Sequence, residues 1–232
     1  MRKLYSIYIF LLFSFSGLSQ NDTLSFPEAL KIHLRKYNIQ SDDAYNNRDL
    51  ERGQILFDSL VTHHLVGTQF EDYTLKKINK KKIKLSSFKK PLFILTYATW
   101  CIPSEGEIPA LNRLAQKFSD EVQFIVLFWD KKHLVQKVAR EFDQHITVCY
   151  ANESYKNDAV IVAHLKHTLG LPTSFFLNEN LQVVNIRRGG AQPDSNSSYD
   201  KAFSMNYSIF RNGLSSLLIN RNLDDDPDYL QN

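Results

Sequence analysis

Cys101 is the residue whose type and surroundings most directly indicate chemistry in this 232-residue sequence. It follows an apolar run of strand length, residues 91–97, and precedes residues with the apolar spacing of a helix. Backbone N–H groups and the helix dipole at such a junction favour negative charge, so we predict a lowered pKa and a reactive thiolate for Cys101. Trp100 and Pro103 restrict the loop on either side and are expected to leave the sulfur at its tip.

Pro172 is the second residue whose setting indicates chemistry. It follows a Gly-Leu pair and begins another apolar strand, which makes it a candidate for a cis peptide bond. A cis bond would present the Leu171 backbone as an edge that can pair with a substrate peptide beside the Cys101 sulfur.

The elements that must position these residues alternate between strands and helices. A hairpin is predicted around Asn79-Lys80. Further strand patterns follow along the chain, at residues 91–97, 122–128, 146–150, 174–177 and 181–186. Helical spacing begins after Cys101 and recurs later, at residues 108–118, 134–142 and 159–169. Alternating strands and helices that end in a hairpin predict an α/β sheet with crossover connections.

The run from Tyr97 to Leu111 resembles the active-site strand, turn and kinked helix of thioredoxin-like proteins, and it is most similar to the exported TlpA/ResA type of thiol–disulfide oxidoreductase. Residues 85–90 and 170–177 fit the same pattern, so the resemblance covers about residues 66–188. It implies a thioredoxin-like α/β fold with a mixed central sheet flanked by helices. The patterns outside this region add helical extensions at both the N- and the C-terminus.

The same resemblance implies thiol–disulfide exchange without a cofactor, on a protein substrate that bears a thiol or a disulfide. Cys101 would be the attacking thiolate. The residues around it would bind the substrate, namely Trp100, Pro103, Leu171 and Pro172.

Three positions depart from the family pattern. The second cysteine of the motif is Ser104, which cannot resolve a mixed disulfide but can donate a hydrogen bond to the Cys101 thiolate. Glu105 occupies the next position, where the family usually carries a basic residue. Its negative charge would raise the pKa of Cys101 if it lies close. A family carboxylate near the active site falls at Asp130, where it would serve as a proton relay.

Two functions from different classes are open at this point. In the first, the chain is a monothiol oxidoreductase in which Cys101 attacks a disulfide and an external reductant resolves the complex. In the second, the fold is a redox-inactive binding or scaffold module that grips an extended segment of a partner near Leu171 and Pro172. The presence of Cys101 within a family-like loop favours the enzyme.

Cys149 is the other cysteine of the chain, and it lies in a short predicted strand. Cysteine in a strand interior is commonly a buried structural thiol, and we predict that role here. A disulfide between Cys149 and Cys101 would require their Cα atoms to lie close together, which the spacing does not establish.

Other classes of function find no support in the sequence. A net charge of +3, and a lysine-rich stretch at residues 76–90 without an interleaved aromatic platform, argue against nucleic acid. A peroxiredoxin would carry Pro and Thr before its cysteine, where Phe93 and Ala98 stand. No metal site is predicted, because no Asp, Glu or Cys completes a recognisable spacing with the candidate ligands His63, His64, His164 and His167.

The N-terminus has the pattern of a secretory signal peptide over residues 1–19, with a basic start, an apolar run and small residues before the predicted cleavage. We therefore expect an exported protein, with the periplasm as its compartment and no membrane span after cleavage. The rest of the chain is predicted to divide into a helical N-terminal extension at 20–65, a thioredoxin-like domain at 66–190, and a linker, amphipathic helix and acidic tail at 191–232.

Overall fold

The structure of the protein is a computed structural model that describes residues 23–166, 168–191, 193–194 and 196–218. The predicted signal peptide and the acidic tail lie outside the described residues. Within those ranges, each helix is too short or too polar to cross a bilayer.

A seven-stranded mixed sheet forms the centre of the protein, with the strand order β2-β1-β5-β4-β3-β6-β7. In chain order the strands are β1 (Thr74–Lys77), β2 (Lys82–Lys84), β3 (Leu92–Tyr97), β4 (Gln123–Phe128), β5 (Ile146–Tyr150), β6 (Thr173–Leu177) and β7 (Val183–Arg188). The neighbours β3, β4 and β5 run parallel, whereas β6 is antiparallel to both β3 and β7. The β1–β2 pair is a hairpin that joins the sheet antiparallel to β5, as the turn around Asn79-Lys80 predicts.

The helices cover both faces of this sheet. They are α1 (Phe26–Asn46), α2 (Leu50–Leu60), α3 (Glu107–Phe118), α4 (Lys132–Val138), α5 (Ala159–Ile161) and α6 (Tyr199–Leu214). Single π-helical segments extend α2 over Val61–Leu65 and α5 over Val162–Lys166. A mixed sheet between two helical layers confirms the predicted thioredoxin-like α/β fold.

The two layers draw on different parts of the chain. Apolar residues of α1, α2 and α5 form one core with the first face of the sheet. Those of α3 and α6 form the second core with the opposite face. In α6, Tyr207, Phe210 and Leu214 recur at intervals of three and four and are buried, so this helix packs along α3 by a single apolar stripe.

The domain boundaries that the sequence predicts, at residues 20–65, 66–190 and 191–232, stay predictions.

The strand β3 carries the site, because it lies between β4 and β6 and all six of its residues are buried. A continuous apolar strand is what burial on both faces requires. The carboxyl end of β3 therefore lies near the middle of one edge of the sheet. Cys101 is the fourth residue after Tyr97, the last residue of β3.

Candidate active site

Cys101 lies in a turn beyond β3, where its N–H donates to the carbonyl oxygen of Ala98 at 2.9 Å. The helix α3 begins at Glu107, near the predicted start at residue 108, so Cys101 itself lies six positions before the helix. Two local features delay the helix. Ile102 precedes a proline, which disfavours helical backbone, and Gly106 adopts a left-handed φ of 77° at the N-cap of α3.

The delayed helix changes the electrostatics at the sulfur. The dipole effect falls off within the first turn of a helix, so α3 cannot lower the pKa of Cys101 as predicted. Burial is the main influence and raises the pKa of Cys101, and the charges of Asp130 and Glu107 raise it further. A backbone hydrogen bond with Ala98 acts in the opposite direction without reversing the shift. The predicted lowered pKa is therefore wrong.

Ser104 is held by hydrogen bonds that differ from the predicted one. Its N–H and its hydroxyl both donate to Glu107 Oε2, at 3.0 and 3.1 Å. Its Oγ also accepts a hydrogen bond from Asn206 Nδ2 of α6 at 2.9 Å. The hydrogen bond that we expected between Ser104 and the Cys101 thiolate is thus replaced by bonds to Glu107 and Asn206.

Glu107 is the carboxylate on the helix side of Cys101, and it is buried. Burial raises the pKa of Glu107, while hydrogen bonds from Ser104 and Tyr97 partly offset that effect. The condition set for Glu105 is not met, because its side chain is exposed and the charges that raise the pKa of Cys101 come from Asp130 and Glu107.

Asp130 lies on the other side of the turn, after β4. Its Oδ2 accepts the Thr99 N–H at 2.7 Å, which ties it to the residue two positions before Cys101. Since Tyr97 of β3 pairs with Phe128 of β4, the two parallel strands bring Asp130 to the same sheet edge as Cys101. The structure therefore places Asp130 close to the thiol, as the resemblance implied.

The peptide bond between Leu171 and Pro172 is cis, which confirms the predicted candidate. Thr173 begins β6 and pairs with Thr96 of β3, so Pro172 lies beside the carboxyl end of β3. The cis bond and Cys101 consequently share one edge of the sheet. Leu171 is half-buried and packs against the first core.

Two large apolar side chains flank the thiol on the surface. Trp100 is 73% exposed and Ile102 is 93% exposed. Pro103, which follows Ile102, is half-buried. Apolar exposure of this degree on both sides of a half-buried thiol forms a surface that an apolar segment of another protein can cover.

Cys149 is a free, fully buried thiol in β5, 0% exposed, and burial raises its pKa to about 12. It packs in the first core, whereas Cys101 packs against the second. Cys149 pairs with Leu127 of β4, whereas Cys101 lies in the turn beyond β3, and both thiols are free. The complete burial of Cys149 confirms the predicted structural thiol.

The candidate histidines that the structure describes make contacts with residues other than Cys101. The described residues contain no group of three or more His, Cys, Asp or Glu able to hold a metal ion. His164 bonds to the Tyr73 hydroxyl at 2.9 Å, and His64 stacks on His33 with ring centroids 3.7 Å apart. His167 lies outside the described residues.

Sequence reasoning missed two residues of the site, Glu107 and Asn206. Glu107 stood within the recognised motif, and its only local signal is an acidic residue before an Ile-Pro pair. Asn206 is a polar residue next to the apolar stripe of α6, and a buried amide of this kind indicates a specific partner. The sequence alone did not reveal that partner.

A family model and several relatives match the part of the chain that carries Cys101 and Pro172. The model of the AhpC/TSA family matches residues 66–186. The thiol-disulfide oxidoreductase ResA of Bacillus thuringiensis subsp. konkukian is 29% identical over 129 residues, which cover 53% of this chain and 70% of that protein. The thioredoxin-like protein YneN of Bacillus subtilis is 23% identical over 128 residues, which cover 53% of this chain and 71% of that protein.

Among solved structures, the fold of this chain is similar to that of a putative thiol:disulfide interchange protein DsbE from Chlorobium tepidum. It has a TM-score of 0.49 and 19% sequence identity, over 66% of this chain and 97% of that chain. Within the matched residues, Phe93 and Ala98 occupy the positions at which a peroxiredoxin would carry Pro and Thr. By the match over residues 66–186, the chain belongs to the AhpC/TSA family, among its thioredoxin-like, ResA-type members.

Proposed function

We propose that this chain is a thiol–disulfide oxidoreductase that works with a single thiol, Cys101. Relatives that match over half of the chain are named thiol-disulfide oxidoreductase ResA, which supports the reaction class. The observation that carries the proposal is the position of Cys101. It is a free, half-buried thiol at the carboxyl end of β3, on the same sheet edge as the cis Leu171–Pro172 bond.

The reaction has two stages. In the first, the Cys101 thiolate attacks one sulfur of a substrate disulfide, an S–S bond forms to Cys101, and the other substrate sulfur leaves as a thiolate. In the second, an external thiolate attacks the Cys101 sulfur and displaces the second substrate thiolate. A second external thiolate then releases Cys101, so two external thiols become one disulfide and the substrate disulfide becomes two thiols.

The carboxylates around Cys101 control the first stage. Asp130 and Glu107 disfavour the Cys101 thiolate, so the resting thiol is protonated at neutral pH. The thiol must lose its proton before it attacks, and we assign Asp130 as the relay that accepts it. The hydrogen bond from Thr99 holds that carboxylate at the turn.

The substrate is proposed to bind over the exposed apolar surface beside the thiol. Trp100 and Pro103 would contact apolar side chains of an extended segment, and the Leu171–Pro172 edge would contact its backbone. These side chains lie on both sides of Cys101, so a bound segment would have its disulfide directly above the sulfur. We also propose export to the periplasm, which rests on the signal-peptide pattern of residues 1–19.

A redox-inactive binding module is the second candidate, and two observations favour it. The pKa of Cys101 is raised, which reduces the reactive thiolate, and Ser104 is engaged by Glu107 and Asn206 at the position of the family's resolving cysteine. The exposed surface around Trp100 would then hold a partner without exchange.

An exchange assay separates the two candidates. A fluorescent peptide disulfide is incubated with glutathione and either the wild-type protein, Cys101→Ser or Cys149→Ser. We expect wild-type and Cys149→Ser to accelerate exchange equally, because Cys149 is buried away from the site. Cys101→Ser should show only the uncatalysed rate. Full activity of Cys101→Ser would overturn the proposal, and no activity of the wild type up to about pH 9 would favour the binding module.

A further inference from the structure

The helix α6 contacts the active-site turn through the buried side chain of Asn206. This side chain is 0% exposed, and its Nδ2 donates to Ser104 Oγ at 2.9 Å and to the Glu105 carbonyl oxygen at 3.1 Å. Its Oδ1 accepts the Ala191 N–H at 3.1 Å. Asn206 thus connects the turn that follows Cys101 to the segment that follows β7.

Two glycines allow close packing around this turn, one against α6 and one against Glu107. A Cβ on Gly106, whose φ is +77°, would lie 2.7 Å from the Phe203 backbone. A Cβ on Gly190 would lie 2.9 Å from Glu107 Oε2. The first distance leaves no room for a side chain between the turn and α6, and the second leaves none between the segment after β7 and the Glu107 carboxylate.

A chain of hydrogen bonds runs from α6 towards the thiol. Asn206 donates to Ser104, and Ser104 donates to Glu107, whose charge raises the pKa of Cys101. A hydroxyl that accepts one hydrogen bond donates a stronger one, so Asn206 strengthens the bond between Ser104 and Glu107. Asn206 lies outside the family match at residues 66–186, so this link comes from the chain's own C-terminal segment.

We propose that Asn206 is a positioning residue of the active site, which acts through Ser104 to hold the turn and the Glu107 carboxylate and thereby sets the reactivity of Cys101. The inference rests on the proposed function, because the reactivity of Cys101 matters only if Cys101 exchanges disulfides. The role of the family's second cysteine position is then structural, because Ser104 anchors α6 to the turn.

The direction of the effect follows from the contacts. Loss of Asn206 loosens the Ser104 bonds that favour the charged form of Glu107, so Glu107 is protonated more often and repels the Cys101 thiolate less. A looser turn also buries Cys101 less, which acts in the same direction. Asn206→Ala should therefore make Cys101 react faster at neutral pH.

The test is the rate of Cys101 alkylation by iodoacetamide as a function of pH, read by mass spectrometry. Asn206→Ala should react at least about threefold faster than wild type near pH 7, with its pH profile displaced to lower pH. The matched control is Asn212→Ala, an exposed asparagine of the same helix, which should match wild type. In a Ser104→Ala background, Asn206→Ala should add much less than it does alone.

Cys149 reports whether a variant is folded, because it is alkylated only when the core opens. If Asn206→Ala labels Cys149, Asn206→Ser takes its place, since it keeps a small hydrogen-bonding group. Equal Cys101 rates in wild type and the folded Asn206 variant would overturn the inference, as would an effect that persists in full without the Ser104 hydroxyl. Alkylation needs no substrate, so either failure is distinct from loss of exchange activity in Cys101→Ser.

Discussion

The hydroxyl of Ser104 lies 3.1 Å from Oε2 of Glu107, and the Ser104 N–H reaches the same oxygen at 3.0 Å. The position at which the family resemblance implies a resolving cysteine is here bonded to a buried carboxylate. That carboxylate raises the pKa of the one thiol that remains at the site, Cys101. The same pair of residues therefore supports the turn and lowers the resting reactivity of the sulfur.

The pH dependence of Cys101 follows from its raised pKa. Below that pKa only a small fraction of the thiol is ionised, and this fraction grows about tenfold for each pH unit. We expect the alkylation rate of Cys101 to rise steadily from about pH 6 to about pH 8. A rate that is already constant below about pH 7 would show a lowered pKa and contradict this account.

Glu107→Gln should speed the reaction of Cys101 near neutral pH. The amide oxygen can still accept hydrogen bonds from Ser104, but the negative charge that disfavours the thiolate is gone. We expect alkylation of Cys101 to accelerate about threefold to tenfold at pH 7. Glu105→Gln is the control, since its exposed side chain should leave the rate unchanged. Equal effects of the two substitutions would show that Glu107 has no special influence.

Asp130→Asn separates the charge of Asp130 from its proposed proton transfer. Asparagine can still accept the Thr99 N–H, so the turn should keep its geometry. Without the charge, the pKa of Cys101 falls and alkylation at pH 7 should increase. Catalysed exchange should nevertheless fall, by about tenfold or more, if Asp130 relays the proton. An exchange rate that rises together with alkylation would leave Asp130 with an electrostatic role only.

Ser104→Ala should destabilise the protein by about 1–3 kcal/mol, because it removes one hydrogen bond from each of two buried side chains, Glu107 and Asn206. The measurement is urea unfolding followed by circular dichroism. Ser87→Ala removes an exposed hydroxyl that bonds to the Lys84 carbonyl oxygen, and it should cost far less. Equal midpoints for the two variants would mean that the Ser104 bonds do not stabilise the fold.

Trp100→Ala and Ile102→Ala should weaken substrate binding without affecting the fold. Both side chains are largely exposed, so the free energy of unfolding should change by less than about 0.5 kcal/mol. The KM for a peptide disulfide should rise several-fold. Ile39→Ala, an exposed isoleucine on α1, serves as the control and should leave KM unchanged. An unchanged KM in the Trp100 and Ile102 variants would place the substrate elsewhere.

The fold was largely predictable from the sequence, and the electrostatics of the site were not. Buried strands such as β3 are continuous apolar runs, so their positions follow from composition and length. The cis peptide bond at Pro172 was likewise predictable from its neighbours. The pKa of Cys101 was predicted in the wrong direction, because it depends on where α3 begins and on carboxylates that only the folded sheet brings together.

The role of Ser104 depends on Asn206, which lies 102 residues further along the chain. A contact of that separation leaves no local pattern, and the isolated motif suggested a hydrogen bond to the thiolate instead. Cys149 was predictable for the opposite reason, since a cysteine within a short apolar strand has its burial set locally.

Intact-mass analysis of the reaction with a peptide disulfide tests the central claim most directly. Without an external thiol, the wild-type protein should accumulate one peptide adduct, located on Cys101, because Ser104 cannot resolve it. Addition of glutathione should release the peptide and return the protein to its starting mass. The absence of an adduct on Cys101, while the protein still accelerates reduction of the peptide disulfide by glutathione, would contradict the monothiol mechanism.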